Sequence, residues 1–265
     1  MCGRFTMLTF DEVEGVVRAL EMRTPFNALP DWPARARPFA RPGVAVGVIM
    51  PVGALGGERC SNEPLADSAF IGCSLAGKTS PADYSAGAVC AAGSPIGFTH
   101  APLIWGFPVE WSSRPVFNTR IETALGPNPG MWGAPIAQGR CLVATAGFFE
   151  PHATETDRSL RTGKPIKRQY RFAMPTSAPL LIAGVQQAGR FSLVTTAPNR
   201  WVSPIHDRMP LVLRPNEALT WLFGDRADLA ALADRSTLEL TAAPENPTTP
   251  PDSPDTANPL QPSLF

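Results

Sequence analysis

The chain has 265 residues, 44% of them hydrophobic and 17% charged, enough to bury a substantial core and too apolar for a chain disordered throughout. Lysine plus arginine balance aspartate plus glutamate at 23 each, which excludes general polyanion binding through bulk charge and confines any nucleic-acid contact to a local surface. No apolar run of about eighteen residues occurs, and no basic segment leads into an apolar one at the start, so neither a membrane span nor a secretory leader is expected and a cytoplasmic protein is the default.

Thr9-Phe10-Asp11-Glu12 has the capping-box pattern, and Phe10, Val13, Val16, Val17 and Leu20 follow on one helical face, which predicts a first helix seven residues after Cys2. Pro30 to Pro42 is broken by prolines, after which Val44, Val46, Val48 and Met50 alternate as in a strand. Residues 51–97 turn to Gly, Ala, Ser and Pro without periodicity, as an insertion or mobile loop would. Apolar β-prone runs return at Leu103–Phe107, Cys141–Val143, Tyr170–Ala173, Leu180–Val185 and Phe191–Thr196. Helices are expected over Asn216–Phe223 and Asp225–Ala233, each opening on a good N-cap residue. The predicted class is α+β: a single domain over residues 2–240, with a largely antiparallel sheet or barrel and flanking helices. Residues 241–265 are expected to be a disordered tail, with seven prolines from Pro244 onward.

The five cysteines form an odd set without a Cys-x-x-Cys pair, and the three histidines are scattered, so no metal and no cofactor are expected. Cys60, Cys73 and Cys90 lie in the small-residue stretch and need no special reading, and Cys141 fits a buried strand position. Cys2 differs, because loss of Met1 would leave an α-amine and a thiol on adjacent carbons. Such a pair condenses with an aldehyde, the amine as a Schiff base and the sulfur by closing a thiazolidine ring. With reference pKa values of about 7.7–8.0 and 8.5, both groups are expected to be partly available near neutral pH, and ring closure is intramolecular.

Five segments sharpen this expectation: Met1-Cys2-Gly3-Arg4-Phe5, Trp105-Gly106-Phe107-Pro108, Asn118-Thr119-Arg120-Ile121-Glu122-Thr123, Arg140-Cys141 through Gly147-Phe148-Phe149-Glu150, and Pro204-Ile205-His206-Asp207-Arg208-Met209-Pro210. In this order they resemble the motifs of the SOS response-associated peptidase (SRAP) family, over residues 1 to about 213 with gaps. The resemblance implies one α+β domain that captures abasic sites in single-stranded DNA as a thiazolidine crosslink, acts as a monomer near the nucleoid, and releases its own initiator methionine. Matched by position, it implies Cys2 as nucleophile, Asn118 and Arg120 as holders of the abasic nucleotide, Glu150 as acid/base and His206 as the group that opens the sugar ring. Arg4 and Arg208 would contact phosphates and Trp105 would stack on a base.

Plainer readings stand beside these. Asn118 suits a turn, Arg120 a salt bridge to Glu122, Glu150 a cap, His206 a core position, and Trp105 with Phe107 an ordinary core. Pro151 follows Glu150 where the family usually has tryptophan, Thr145 stands where proline is frequent, and Arg35 to Gly43 only loosely matches the segment after the first helix. Arg158, Arg161, Lys164, Lys167, Arg168 and Arg171 around Tyr170 and Phe172 suit either a nucleic-acid groove or a solvated hairpin. Gln261-Pro262-Ser263-Leu264-Phe265 resembles the peptide that engages bacterial sliding clamps, with Gln261, Leu264 and Phe265 as contacts. A cysteine protease using Cys2 and His206, and a non-covalent single-strand binder or clamp adaptor, are the alternatives.

Overall fold

The computed structural model describes residues 2–23, 37–52, 97–176 and 178–245. Most of the proposed insertion, Cys60, Cys73, Cys90 and the clamp-like residues Gln261, Leu264 and Phe265 lie outside the described residues. The order begins β1 (Arg4–Thr6), α1 (Phe10–Met22), β2 (Phe39–Ala40), β3 (Ala45–Pro51), β4 (Phe98–Trp105), β5 (Phe107–Val109), β6 (Ser112–Val116) and β7 (Asn118–Arg120). It continues α2 (Ile121–Ala124), α3 (Gly133–Gln138), β8 (Arg140–Thr145), β9 (Phe148–Arg158), β10 (Pro165–Ala173), β11 (Leu180–Gln187) and β12 (Arg190–Thr196). Last come β13 (Met209–Pro210), β14 (Val212–Leu213), α4 (Ala218–Phe223), α5 (Arg226–Ala231) and β15 (Thr241–Pro244).

The α+β expectation holds. Strands β12, β4, β3, β8 and β11 pair in sequence, and β11 pairs again with β12, closing a five-stranded barrel. Its pairings are antiparallel except where β12 runs parallel to β4, and β7 adds a further parallel neighbour to β12. A second sheet, ordered β15-β10-β9-β1-β2, carries the amino-terminal strand.

Closure buries both faces of β3, β8, β11 and β12, whereas β4 leaves Pro102 and Ile104 exposed. In β3, Val46, Val48 and Met50 join one core cluster with Leu103, Trp105, Val143, Ile182 and Leu193, while Ile49 joins a second with the helices. Helices cannot occupy the lumen of so small a barrel, so the first cluster fills the interior and the second coats the outside. The interior cluster runs on into Cys2, Phe5, Phe148 and Phe172, which ties the second sheet to it.

Helix α1 starts where the capping box predicts: Glu12 N–H donates to the Thr9 hydroxyl at 3.3 Å, and Thr9 N–H to the Glu12 carboxylate at 2.8 Å. Val13, Val16, Val17, Ala19 and Leu20 are buried, but Phe10 is exposed and rests on the His100 ring, 4.3 Å between centroids. Asp225 caps α5 through Ala227 N–H and Asp228 N–H, as expected. One boundary moves. Thr241–Pro244, assigned from composition to the tail, form β15 along β10, because an edge strand needs only backbone pairing and no apolar face.

A candidate active site at the amino-terminal strand

Strand β1 is pinned beside the turn between β8 and β9. Thr6 N–H donates to Gly147 O at 2.8 Å, while the Thr145 hydroxyl donates to Thr6 O at 2.6 Å and accepts from Gly147 N–H at 3.1 Å. Thr145 thus staples the two elements together. Arg4 lies opposite Phe149 and Phe5 opposite Phe148, so the antiparallel register carries Cys2 towards Glu150 and Pro151. Cys2 is fully buried; its thiol donates to Arg4 O at 3.5 Å and its carbonyl accepts from Asn118 Nδ2 at 2.9 Å. Asn118 is placed by β7, level with Leu193 of β12, and its Oδ1 has no hydrogen-bond partner among the described residues.

Glu150, also fully buried, precedes a prolyl residue that has no N–H for the ladder. The β9–β10 register is broken just there: Gln169 faces Pro151 while Lys167 faces Thr156. The bulged residues turn outward, and Ala153 N–H donates to Ile205 O at 2.9 Å, which docks the loop carrying His206. Asn199 anchors the start of that loop, its Oδ1 accepting from Trp201 and Val202 N–H at 3.1 and 3.2 Å and its Nδ2 donating to Leu238 O at 2.9 Å. His206 Nε2 then lies 3.8 Å from Glu150 Oε2, and its Nδ1 accepts from Arg208 N–H at 3.0 Å. Cys2, Asn118, Glu150 and His206, from four separate segments, are brought together.

Burial sets their protonation. It pushes the Glu150 carboxyl up to about 8, against the opposing charge of the amino terminus, so the group is mostly protonated at pH 7. Burial, then the amino-terminal charge, lowers His206 below its usual value, which keeps the imidazole neutral. Burial, then the Glu150 charge, drives the Cys2 thiol well above the usual thiol range. The expectation of a partly ionised thiol is therefore corrected, since the reference value assumed a solvated sulfur.

The basic and aromatic candidates fare differently. Arg4 stacks over Phe149 and Phe39 and pairs with Glu245, and it lines an open pocket of about 390 Å³ with Gly3, Arg41, Phe149, Pro151 and Gln169. Arg208 makes a two-pronged contact with Glu122, 2.9 Å on each arm, and Arg120 is exposed. The salt bridge expected of Arg120 to Glu122 is thus made by Arg208. Trp105 is not a stacking surface: it is wholly buried against Phe5 and Phe191, and its indole N–H donates to Phe117 O at 2.8 Å. The hydrophobic core, the plainer reading, accounts for it.

Among the described residues the most exposed aromatic is Trp111, 74% accessible in the turn between β5 and β6, the hairpin that leads into Asn118. Sequence reading passed over it because nothing local separates an exposed tryptophan from a buried one, although Glu110 and two serines flank it. Asn199 was missed too, its signal being only an asparagine after a proline. In the basic stretch, Arg168 pairs with Asp157 and Glu155, and Arg171 donates to Ala146 O at 2.7 Å. Arg158, Arg161 and Lys164 remain exposed about the hairpin tip. Among the described residues no cluster suited to a metal ion occurs, and no helix is long and apolar enough to cross a membrane.

The sequence model of the SOS response associated peptidase (SRAP) family matches residues 77–246. The chain belongs to the SRAP family. The match spans Asn118, Glu150 and His206 and runs through β15, whereas β1 and Cys2 precede it. Among similar proteins, the abasic site processing protein YedK of Escherichia coli is 29% identical over 130 residues, 46% of this chain and 54% of that protein. The abasic site processing protein YoaM of Bacillus subtilis is 25% identical over 134 residues, 45% and 55%. The chain thus spans about half the length of the curated relatives it matches. A phage-related protein of Bordetella bronchiseptica shares the fold at TM-score 0.54, with 20% identity over 92% of this SRAP chain and 94% of that one. A second protein of that organism matches at TM-score 0.51, 19% identity, 92% and 100%.

Proposed function

We propose that this SRAP protein processes abasic sites in single-stranded DNA by covalent capture on Cys2 after removal of Met1. The observation that carries the reading is a buried carboxyl, Glu150, poised at about 8 and lying between the amino-terminal strand and His206. A proton donor of that strength is what condensation of an amine with an aldehyde needs near neutral pH. The names of the similar proteins in Escherichia coli and Bacillus subtilis agree with it.

Because the Cys2 thiol is held protonated, the amine attacks first. Its nitrogen adds to the sugar aldehyde, Glu150 protonates the resulting hydroxyl, and water leaves to give the Schiff base. The thiol then adds to the carbon of the protonated imine while its proton passes to the Glu150 carboxylate, which restores the acid. Amine, thiol and aldehyde become thiazolidine plus one water. Neutral His206, 3.8 Å from Glu150, suits relay of a proton to the sugar ring oxygen better than storage of one. Asn118 holds the Cys2 carbonyl and offers its Oδ1 to a sugar hydroxyl. Arg4 and Arg120 serve the flanking phosphates, and Trp111 replaces Trp105 as the base-stacking surface. The same carboxyl beside the chain start suits self-release of Met1. A peptidase acting on other proteins fits less well, since a cysteine protease needs a thiolate and burial opposes one here.

Incubation with single-stranded DNA holding one abasic site should yield an adduct that survives denaturation. Its mass should equal the DNA plus the protein without Met1, less one water. No stable adduct with wild-type protein, or one of equal yield with Cys2→Ala, would sink the reading. The terminal Gln261, Leu264 and Phe265 are proposed as a sliding-clamp contact, which predicts that deleting the last five residues abolishes binding to a bacterial clamp.

A further inference from the structure

Arg4, which with Arg41 supplies the charge lining the open pocket, is already engaged. Its guanidinium lies 4.1 Å from the Phe149 ring centroid and 4.8 Å from that of Phe39, contacts that fix its position. Its Nη2 donates to the carboxylate of Glu245, which lies 241 residues further along the chain. Glu245 stands just past β15, and its own N–H donates at 2.8 Å to the carbonyl of Gln169, another pocket residue. The end of the last described strand therefore delivers a carboxylate to Arg4, one of the two arginines that line the pocket. A carboxylate and a phosphate present similar paired oxygens to a guanidinium, so the two compete for one place.

We propose that Glu245 is an internal stand-in for a DNA phosphate at Arg4, so that nucleic acid has to displace the end of β15 to complete the site. The proposal rests on the reading of Arg4 as a phosphate contact. Displacement is feasible because β15 is an edge strand that pairs with β10 alone and all four of its side chains are exposed. Its release uncovers little apolar surface and exchanges a few edge hydrogen bonds for water. The consequence is selectivity. A backbone that offers only phosphate gains little over Glu245, whereas DNA that also seats a nucleotide at Asn118 and a base on Trp111 wins the exchange.

The test uses the full chain and labelled single-stranded DNA carrying a tetrahydrofuran abasic analogue, which has no aldehyde and reports binding without crosslinking. By fluorescence anisotropy, Glu245→Gln should bind about two- to fivefold more tightly, the range for releasing one partly exposed ion pair. In an Arg4→Gln background the same change should have no effect. Glu245→Asp, whose shorter side chain draws the carboxylate back, should fall between and carries the comparison if Glu245→Gln does not fold. Unchanged affinity in a folded Glu245 variant overturns the proposal, as does equal tightening with and without Arg4, which would mean general loss of negative charge. Since the readout needs no adduct, failure of covalent capture and failure of this competition are separate results.

Discussion

Replacing Glu150 by glutamine removes the ionisation on which the site turns while keeping nearly the same shape. In the folded chain the carboxyl loses its proton near pH 8 instead of the reference 4.5, chiefly through burial. At about 1.4 kcal/mol for each pH unit, holding the charged form inside costs on the order of 5 kcal/mol. Below pH 4.5 folded and unfolded chains both keep the proton, so the residue adds no pH dependence. Between 4.5 and 8 the unfolded chain releases a proton that the folded chain retains, and stability falls as pH rises; above 8 the loss is complete. Urea denaturation of wild type and Glu150→Gln at pH 5, 6, 7 and 8 isolates the effect, because all other groups cancel in the difference. The variant should gain on the wild type by about 3–5 kcal/mol between pH 5 and 8 and should form the abasic-site adduct about a hundredfold more slowly or worse. Parallel stability curves would show that Glu150 ionises normally and would remove the basis for its role as proton donor.

Cys2→Ala, with Met1 removed, retains an amine, so it should give no denaturation-resistant adduct yet be trapped on abasic DNA by borohydride; failure to trap would contradict attack by the amine first. Asn118→Ala breaks the bond to the Cys2 carbonyl and should cost about 1–2 kcal/mol in denaturation along with slower capture, measured as the single-turnover rate. Trp111→Ala should leave stability within about 0.5 kcal/mol but weaken single-strand binding by about 1–3 kcal/mol, whereas Trp105→Ala should lose about 3–5 kcal/mol of stability. Asn199→Ala should slow capture without touching DNA, because it frees the loop that aims His206, and the loss should appear in the rate at saturating DNA rather than in affinity.

Helix α1 and its cap, the β-rich middle and the last helix with its Asp225 cap were legible because each is specified by neighbours three or four residues apart or by alternation along a strand; α4 was legible only in its body, since it begins at Ala218 and Asn216 sits in the preceding turn instead of capping it. The chemical identities of Cys2, Asn118, Glu150 and His206 were legible as well, since each sits in a short segment with a definite reactive group. Tertiary structure decided what local pattern cannot encode. Trp105 and Trp111 stand six positions apart, and only closure of the barrel buries one and leaves the other in water. Arg208 finds Glu122 across 86 residues and Arg4 finds Glu245 across 241, so which cations remain for DNA depends on long-range pairing. The protonation states were likewise hidden, because desolvation is a property of everything packed around a group, and that packing exists only once β1, β9 and the His206 loop have met.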